Sequence, residues 1–165
     1  MRLFIAINFS PSFKKAILSS AQQLRNCGVR GNFTREENLH LTLAFIGESD
    51  RVNDIRGVLD SIDCAPFDIS LGNHGSFGNL LWIGLDKSDK LLNLANGIRK
   101  KLLDLSFDID TKPFRPHITV VREASENMDF DVPACSMTVS RVSLMRSDRI
   151  NGKLVYKEVY GKTLI

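Results

Sequence analysis

The sequence predicts an α+β protein of two lobes. Its expected form is two mostly antiparallel sheets related by a rough two-fold axis, with helices on the outer faces and a groove between the lobes. Three observations lead there. A strand–helix–strand pattern occurs twice, about 2–47 and about 80–122. The two first strands match in residue character: Leu3 with Leu81, Phe4 with Trp82, Ile5 with Ile83, Ala6 with Gly84, Ile7 with Leu85. The offsets agree as well, since Arg2 and Leu80 lie 78 residues apart while His40 and His117 lie 77 apart. Equal spacing of like elements points to an internal pseudo-repeat.

The first strand, Arg2 to Ile7, leads into a helix signalled by Ser10-Pro11, an N-cap followed by a first-turn proline. Phe13, Ile17, Ala21 and Leu24 then recur on one helical face, and Gly28 supplies a stop. A strand beginning at His40 follows. Val52, Ile55, Leu59 and Ile62 mark a second helix opened by Ser49-Asp50. Phe67 to Leu71 reads as a strand followed by a Gly/Asn-rich turn. After the strand Leu80 to Leu85, Ser88 caps a helix carrying Leu91, Ala95, Ile98 and Leu102 on one face. The strand at His117 comes next. Met137 to Met145 and Leu154 to Tyr160 read as strands of a hairpin joined through Asn151-Gly152.

The totals fit one domain over residues 1–165. Hydrophobic residues make up 43% and charged residues 25%, ordinary for a globular chain with a real core. A net charge of +3 tolerates an anionic ligand but falls short of a nucleic-acid coat. The three cysteines, Cys27, Cys64 and Cys135, form no CxxC pair, which argues against a zinc knuckle or a disulfide framework. Buried, reduced thiols are expected instead. The N-terminal apolar run is short for a signal peptide, and no stretch is long enough to span a membrane. A cytoplasmic protein is the expectation.

Chemistry concentrates in two tetrapeptides, His40-Leu41-Thr42-Leu43 and His117-Ile118-Thr119-Val120. Alternation along a strand puts Leu41, Leu43, Ile118 and Val120 on the core side. His40 with Thr42, and His117 with Thr119, then share the other face, about 6–7 Å apart along each strand. If the halves are two-fold related, two imidazoles and two hydroxyls surround one space. Imidazoles titrate near neutrality, so one can hold a proton while the other takes one. The hydroxyls can donate to phosphoryl oxygens. That set suits phosphodiester hydrolysis, and the arrangement requires no metal. No His, Cys or carboxylate cluster at metal-ligand spacing accompanies either motif. No cysteine has a neighbouring base in sequence, and His74, which lacks the motif, reads as structural or exposed. Phe4 and Trp82 fall on the same face as the histidines, where they either stack on nucleobases or fill the groove floor. Lys112, Arg115, Arg146, Arg149 and Lys153 are candidates to guide an anionic chain past the mouth, or are scattered surface charge.

These motifs resemble the two-histidine (2H) phosphoesterase superfamily. The strings Arg2-Leu3-Phe4-Ile5-Ala6-Ile7, Asn38 to Gly47 and Phe114 to Arg122 are similar to its bacterial and archaeal RNA 2′,3′-cyclic phosphodiesterases, historically called 2′-5′ RNA ligases. Leu81-Trp82-Ile83-Gly84, Ser147, Gly152 and Tyr156 also fit. Phe33 stands where that branch often has Trp, and Val120 where it often has Leu. The resemblance implies hydrolysis of an RNA-terminal 2′,3′-cyclic phosphate to a 2′-phosphate. No cofactor is expected, and because both active halves lie in one chain a monomer is expected to suffice. The resemblance also implies His40 as proton donor, His117 as proton acceptor, Thr42 and Thr119 as phosphate ligands and Arg122 as a phosphate-binding arginine. The pseudo-symmetry leaves the acid and base assignment to the resemblance alone. Two other functions use the same groove: making or cleaving 2′-5′ linkages, and binding RNA or nucleotides without turnover.

Overall fold

The computed structural model describes residues 1–165. In chain order the elements are β1 (Arg2–Asn8), α1 (Pro11–Asn26), β2 (Asn32–Phe33), a short 3-10 turn (Glu36–Asn38), β3 (His40–Glu48), α2 (Val52–Asp60), β4 (Phe67–Phe77), β5 (Leu80–Leu85), α3 (Asp89–Asp104), β6 (His117–Arg122), β7 (Ser136–Val139), β8 (Arg141–Ile150) and β9 (Lys153–Thr163). They form a four-stranded sheet ordered β3-β1-β8-β9 and a five-stranded sheet ordered β2-β6-β5-β4-β7. Every pairing is antiparallel.

Both long helices begin as their sequences suggest. Ser10 accepts from the Phe13 amide and Ser88 from the Leu91 amide, so each serine satisfies one orphan donor of the first turn. The helices bury Phe13, Ile17, Ala21 and Leu24, and Leu91, Leu94, Ala95, Ile98 and Leu102. Each rests partly on the other half of the chain: α1 on β6, and α3 on β3. One apolar cluster of 36 buried residues therefore runs through both sheets. The lobes share a core, and the groove is a cleft in its surface.

Three local expectations change. The Gly/Asn-rich stretch after Leu71 is no turn; β4 passes through it with a bulge between Leu71 and His74 and turns only at Gly78-Asn79. The strand expected over Met137 to Met145 breaks at Ser140, because β7 joins one sheet and β8 the other. The second helix starts at Val52, and Ser49 Oγ accepts from the Arg51 amide before the first helical residue. The β8–β9 hairpin forms as expected, with Asn151 and Gly152 both at positive φ (52° and 76°), which the tight turn requires.

The thiols are free but not buried: Cys27 is exposed at the end of α1, and Cys64 and Cys135 are half-buried. His74 is structural, stacked on Phe130 with Asp129 at 3.5 Å. No helix is long and apolar enough to cross a membrane.

Phe13 has no exposed surface and sits where α1 meets the shared core. Phe13→Ala is expected to lower unfolding stability by about 3–5 kcal/mol in urea titrations. A loss under 1 kcal/mol would mean that α1 is not anchored there.

Candidate functional site

β3 and β6 meet at the seam between the two sheets. Leu41, Leu43, Ile118 and Val120 enter the core, and His40, Thr42, His117 and Thr119 lie on the opposite face, half-buried. The two histidines are held alike. His40 Nδ1 lies 2.7 Å from the Asn38 carbonyl oxygen and His117 Nδ1 lies 2.8 Å from that of Arg115. A carbonyl only accepts, so Nδ1 carries hydrogen in both rings. Nε2 is then the nitrogen that exchanges a proton. In His40 it lies 2.9 Å from Thr42 Oγ1.

Arg122 reaches this site because β6 is irregular. From His117, simple alternation would aim Arg122 at the core. The pairing skips Val120: Thr119 pairs with Trp82, and Val121 with Leu81. The bulge turns Val121 inward and Arg122 to the groove. β3 makes the same adjustment at Leu43, where Thr42 pairs with Ala6 and Ala44 with Ile5, which brings Phe45 to the groove face.

The two ends of the site differ. His40 is flanked by aromatics, with the Phe4 ring at 5.0 Å and the Tyr156 ring edge-on at 5.1 Å. Phe4 itself is 4% exposed and packs with Ala6, Met145 and Tyr156. Of its two possible roles, burial supports floor packing. His117 instead borders an open cleft of about 480 Å³ lined by Phe77, Trp82, Phe114 and Arg115 among others. Gly75 explains the difference. Where Met145 stands beside Phe4, Gly75 stands beside Trp82, and a Cβ there would meet the indole at 2.3 Å. Trp82 therefore lies flat over Gly75, with its Nε1 buried and unpartnered, and leaves the cleft clear. Phe77 stands edge-on to His117 at 5.2 Å.

Burial lowers the His40 pKa from the ordinary 6.5. The Asn38 carbonyl opposes that shift, and the positive charges of Arg122 and His117 reinforce it. Burial raises the Tyr156 phenol, and Arg122 and Arg2 pull it back. No cluster of three His, Cys, Asp or Glu side chains is placed to hold a metal ion.

The structure thus brings together His40, Thr42, His117, Thr119 and Arg122, with Phe4 beneath and Trp82 to one side. Of the basic candidates, Arg115 stands over Phe77 at 5.4 Å, while Arg146 is paired with Asp148 at 2.9 Å. Sequence reasoning missed Asn38 as a support. Its carbonyl holds His40, and its amide donates to the Leu154 carbonyl at 3.0 Å. Its place two residues before the motif, matched by Arg115 in the other half, was the available signal.

Comparisons with known proteins bear on the family and the fold. The sequence model of the 2′-5′ RNA ligase superfamily matches residues 13–151. The chain is 35% identical to the RNA 2′,3′-cyclic phosphodiesterase of Archaeoglobus fulgidus, over 77% of this chain and 75% of that protein. It is 30% identical to that of Thermotoga maritima, over 97% and 94%. Among solved structures, Escherichia coli LigT complexed with NADP+ superposes with a TM-score of 0.86 at 26% identity, covering 99% of this chain and 96% of that one. LigT complexed with 3′-AMP gives 0.84 at the same identity, with coverage of 99% and 96%.

His40 carries a pH prediction. Its folded pKa lies below its unfolded value, so the unfolded chain binds the proton more readily. The neutral ring's contribution is present above pH 6.5 and is lost as pH falls from there through the folded pKa. An NMR titration of the His40 ring should give a midpoint below 6.5, and Arg122→Gln should move it upward. A midpoint at or above 6.5, or a downward move, would contradict the assigned causes.

Proposed function

This chain belongs to the 2′-5′ RNA ligase superfamily of two-histidine phosphoesterases, and on that premise we propose that its groove hydrolyses an RNA-terminal 2′,3′-cyclic phosphate to a 2′-phosphate. The observation that carries the reading is the matched pair of imidazoles on two strands, β3 and β6, that adjoin across the seam between the sheets. Each is fixed through Nδ1, and each keeps Nε2 for proton transfer. A pure binding surface has no need of two such groups.

In the proposed reaction, water gives a proton to His117 Nε2 as its oxygen bonds to phosphorus. The bond from phosphorus to O3′ breaks, and His40 Nε2–H protonates the departing oxygen. The product carries a 2′-phosphate and a free 3′-hydroxyl. The open cleft beside His117 supports its part as base, since solvent reaches that side. His40 is the acid. Its lowered pKa makes the imidazolium a ready donor, and the bound phosphate offsets the Arg122 charge that disfavours that form. Thr42, Thr119 and Arg122 hold the non-bridging oxygens and the charge that grows on them. Trp82 forms a wall of the cleft and remains a stacking candidate there. The catalytic set comes from one chain, so one bilobal domain over 1–165 suffices. The equivalent bulges, serine caps and Nδ1 anchors support a pseudo-repeat of about 2–47 and 80–122.

The test uses an oligonucleotide ending in a 2′,3′-cyclic phosphate, with and without EDTA. We expect turnover unaffected by chelator, a 2′-phosphate product and a bell-shaped pH profile. His40→Ala and His117→Ala should each lower kcat by about 10²–10⁴. Activity that survives either substitution, or that chelator abolishes, would rule out the two-histidine mechanism. Tight binding without turnover would favour the RNA-binding reading. Joining of 2′-5′ ends as the faster reaction would favour ligation.

A further inference from the structure

One row of the four-stranded sheet is not used by the hydrolysis of a phosphate alone. Arg2 pairs with Ser147, and Ser147 pairs with Tyr156, so three neighbouring strands contribute one residue each. Paired residues share a face, and Arg2 shares its face with Phe4, two residues on. All three side chains therefore stand on the groove face, at steps of about 4.8 Å from strand to strand. Tyr156 ends the row against His40, with ring centroids 5.1 Å apart.

Each member is a hydrogen-bond donor, and the protein supplies no acceptor. The carboxylate opposite Arg2, Glu48, is turned to the Met1 amino group at 3.3 Å. The Arg2 guanidinium lies over the Phe45 ring at 5.1 Å, which orients it but leaves its N–H edge open. Tyr160 binds Asp60, whereas the Tyr156 hydroxyl, on the same strand, has no such carboxylate. Its charged surroundings are Arg2 and Arg122. Fixed donors with two guanidiniums and no anion among them make a site for an anionic oxygen group.

We propose that Arg2, Ser147 and Tyr156 bind the phosphodiester that precedes the terminal nucleotide, making the enzyme selective for oligonucleotide ends over free cyclic mononucleotides. The inference rests on the cyclic phosphodiesterase reading above. It also follows that reading's geometry. O3′ departs toward His40, so the terminal ribose lies on that side. Its 5′ oxygen then leads to a phosphate about one nucleotide from the reacting one, along the wall that carries the row. A mononucleoside 2′,3′-cyclic phosphate has no group to place there.

The experiment compares a dinucleotide ending in a 2′,3′-cyclic phosphate with the mononucleoside 2′,3′-cyclic phosphate of the same terminal base. Wild-type kcat/KM is expected to favour the dinucleotide by about tenfold, the scale of a charge-assisted contact. Arg2→Gln should remove most of that preference while costing the mononucleotide less than about twofold. Arg2→Lys keeps the charge and should keep part of the preference, and added salt should shrink it. Calorimetry with the two matching 2′-phosphate products reads the same difference without turnover. Equal kcat/KM for both substrates in the wild type, or equal losses on both in Arg2→Gln, would overturn the subsite. If neither substrate is hydrolysed, the phosphodiesterase reading falls, and the calorimetric difference still decides whether the row binds the preceding phosphate.

Discussion

The site depends first on one hydrogen bond, made twice: from a histidine Nδ1 to the carbonyl two residues upstream. It fixes the tautomer, so the remaining nitrogen is the one that faces the groove. It also fixes the ring plane, because the carbonyl belongs to a backbone held elsewhere. For His40 that backbone is the Asn38 turn, tied to β9 through Leu154. For His117 it is Arg115-Pro116, where proline restricts the approach to the strand. Two separately braced turns thus yield one chemical arrangement.

From that common base the halves diverge, and the divergence suits them to the two roles of the proposed mechanism. His40 packs against Phe4 and Tyr156, where lost hydration weakens its hold on a proton. His117 faces open space, because Gly75 lets Trp82 lie flat where the equivalent Met145 packs on Phe4. Pseudo-symmetry alone would give two interchangeable imidazoles. The exchange of a methionine for a glycine beside the aromatic, together with Tyr156, makes one end enclosed and the other open.

The sequence disclosed what depends on period. Alternation placed His40, Thr42, His117 and Thr119 on one face, and the helical spacing of Phe13, Ile17, Ala21 and Leu24 marked the face that is buried. It was silent where period breaks. Arg122 came only from the family resemblance, since strict alternation sends it into the core, and the bulge at Val120 follows from pairing with β5. Ser140 looks like any strand residue, yet the chain changes sheets there because its neighbours on either side pair with different strands. Tyr156 reaches His40 across a separation of 116 residues that no local pattern reports.

The shared core explains how so open a groove holds its groups in place. α3 rests on β3 and α1 on β6, so each histidine strand is backed by the helix of the opposite half. A hinge between the lobes would have to break a continuous cluster of 36 buried residues, which close packing resists. The donors that the proposed mechanism turns to the phosphate are therefore set before substrate arrives, and in that mechanism little reorganisation remains when charge moves onto the phosphoryl oxygens. Stabilisation of that kind is strongest when the dipoles are already fixed. The interlocked halves supply the fixity, so an open groove can hold its polar groups in place.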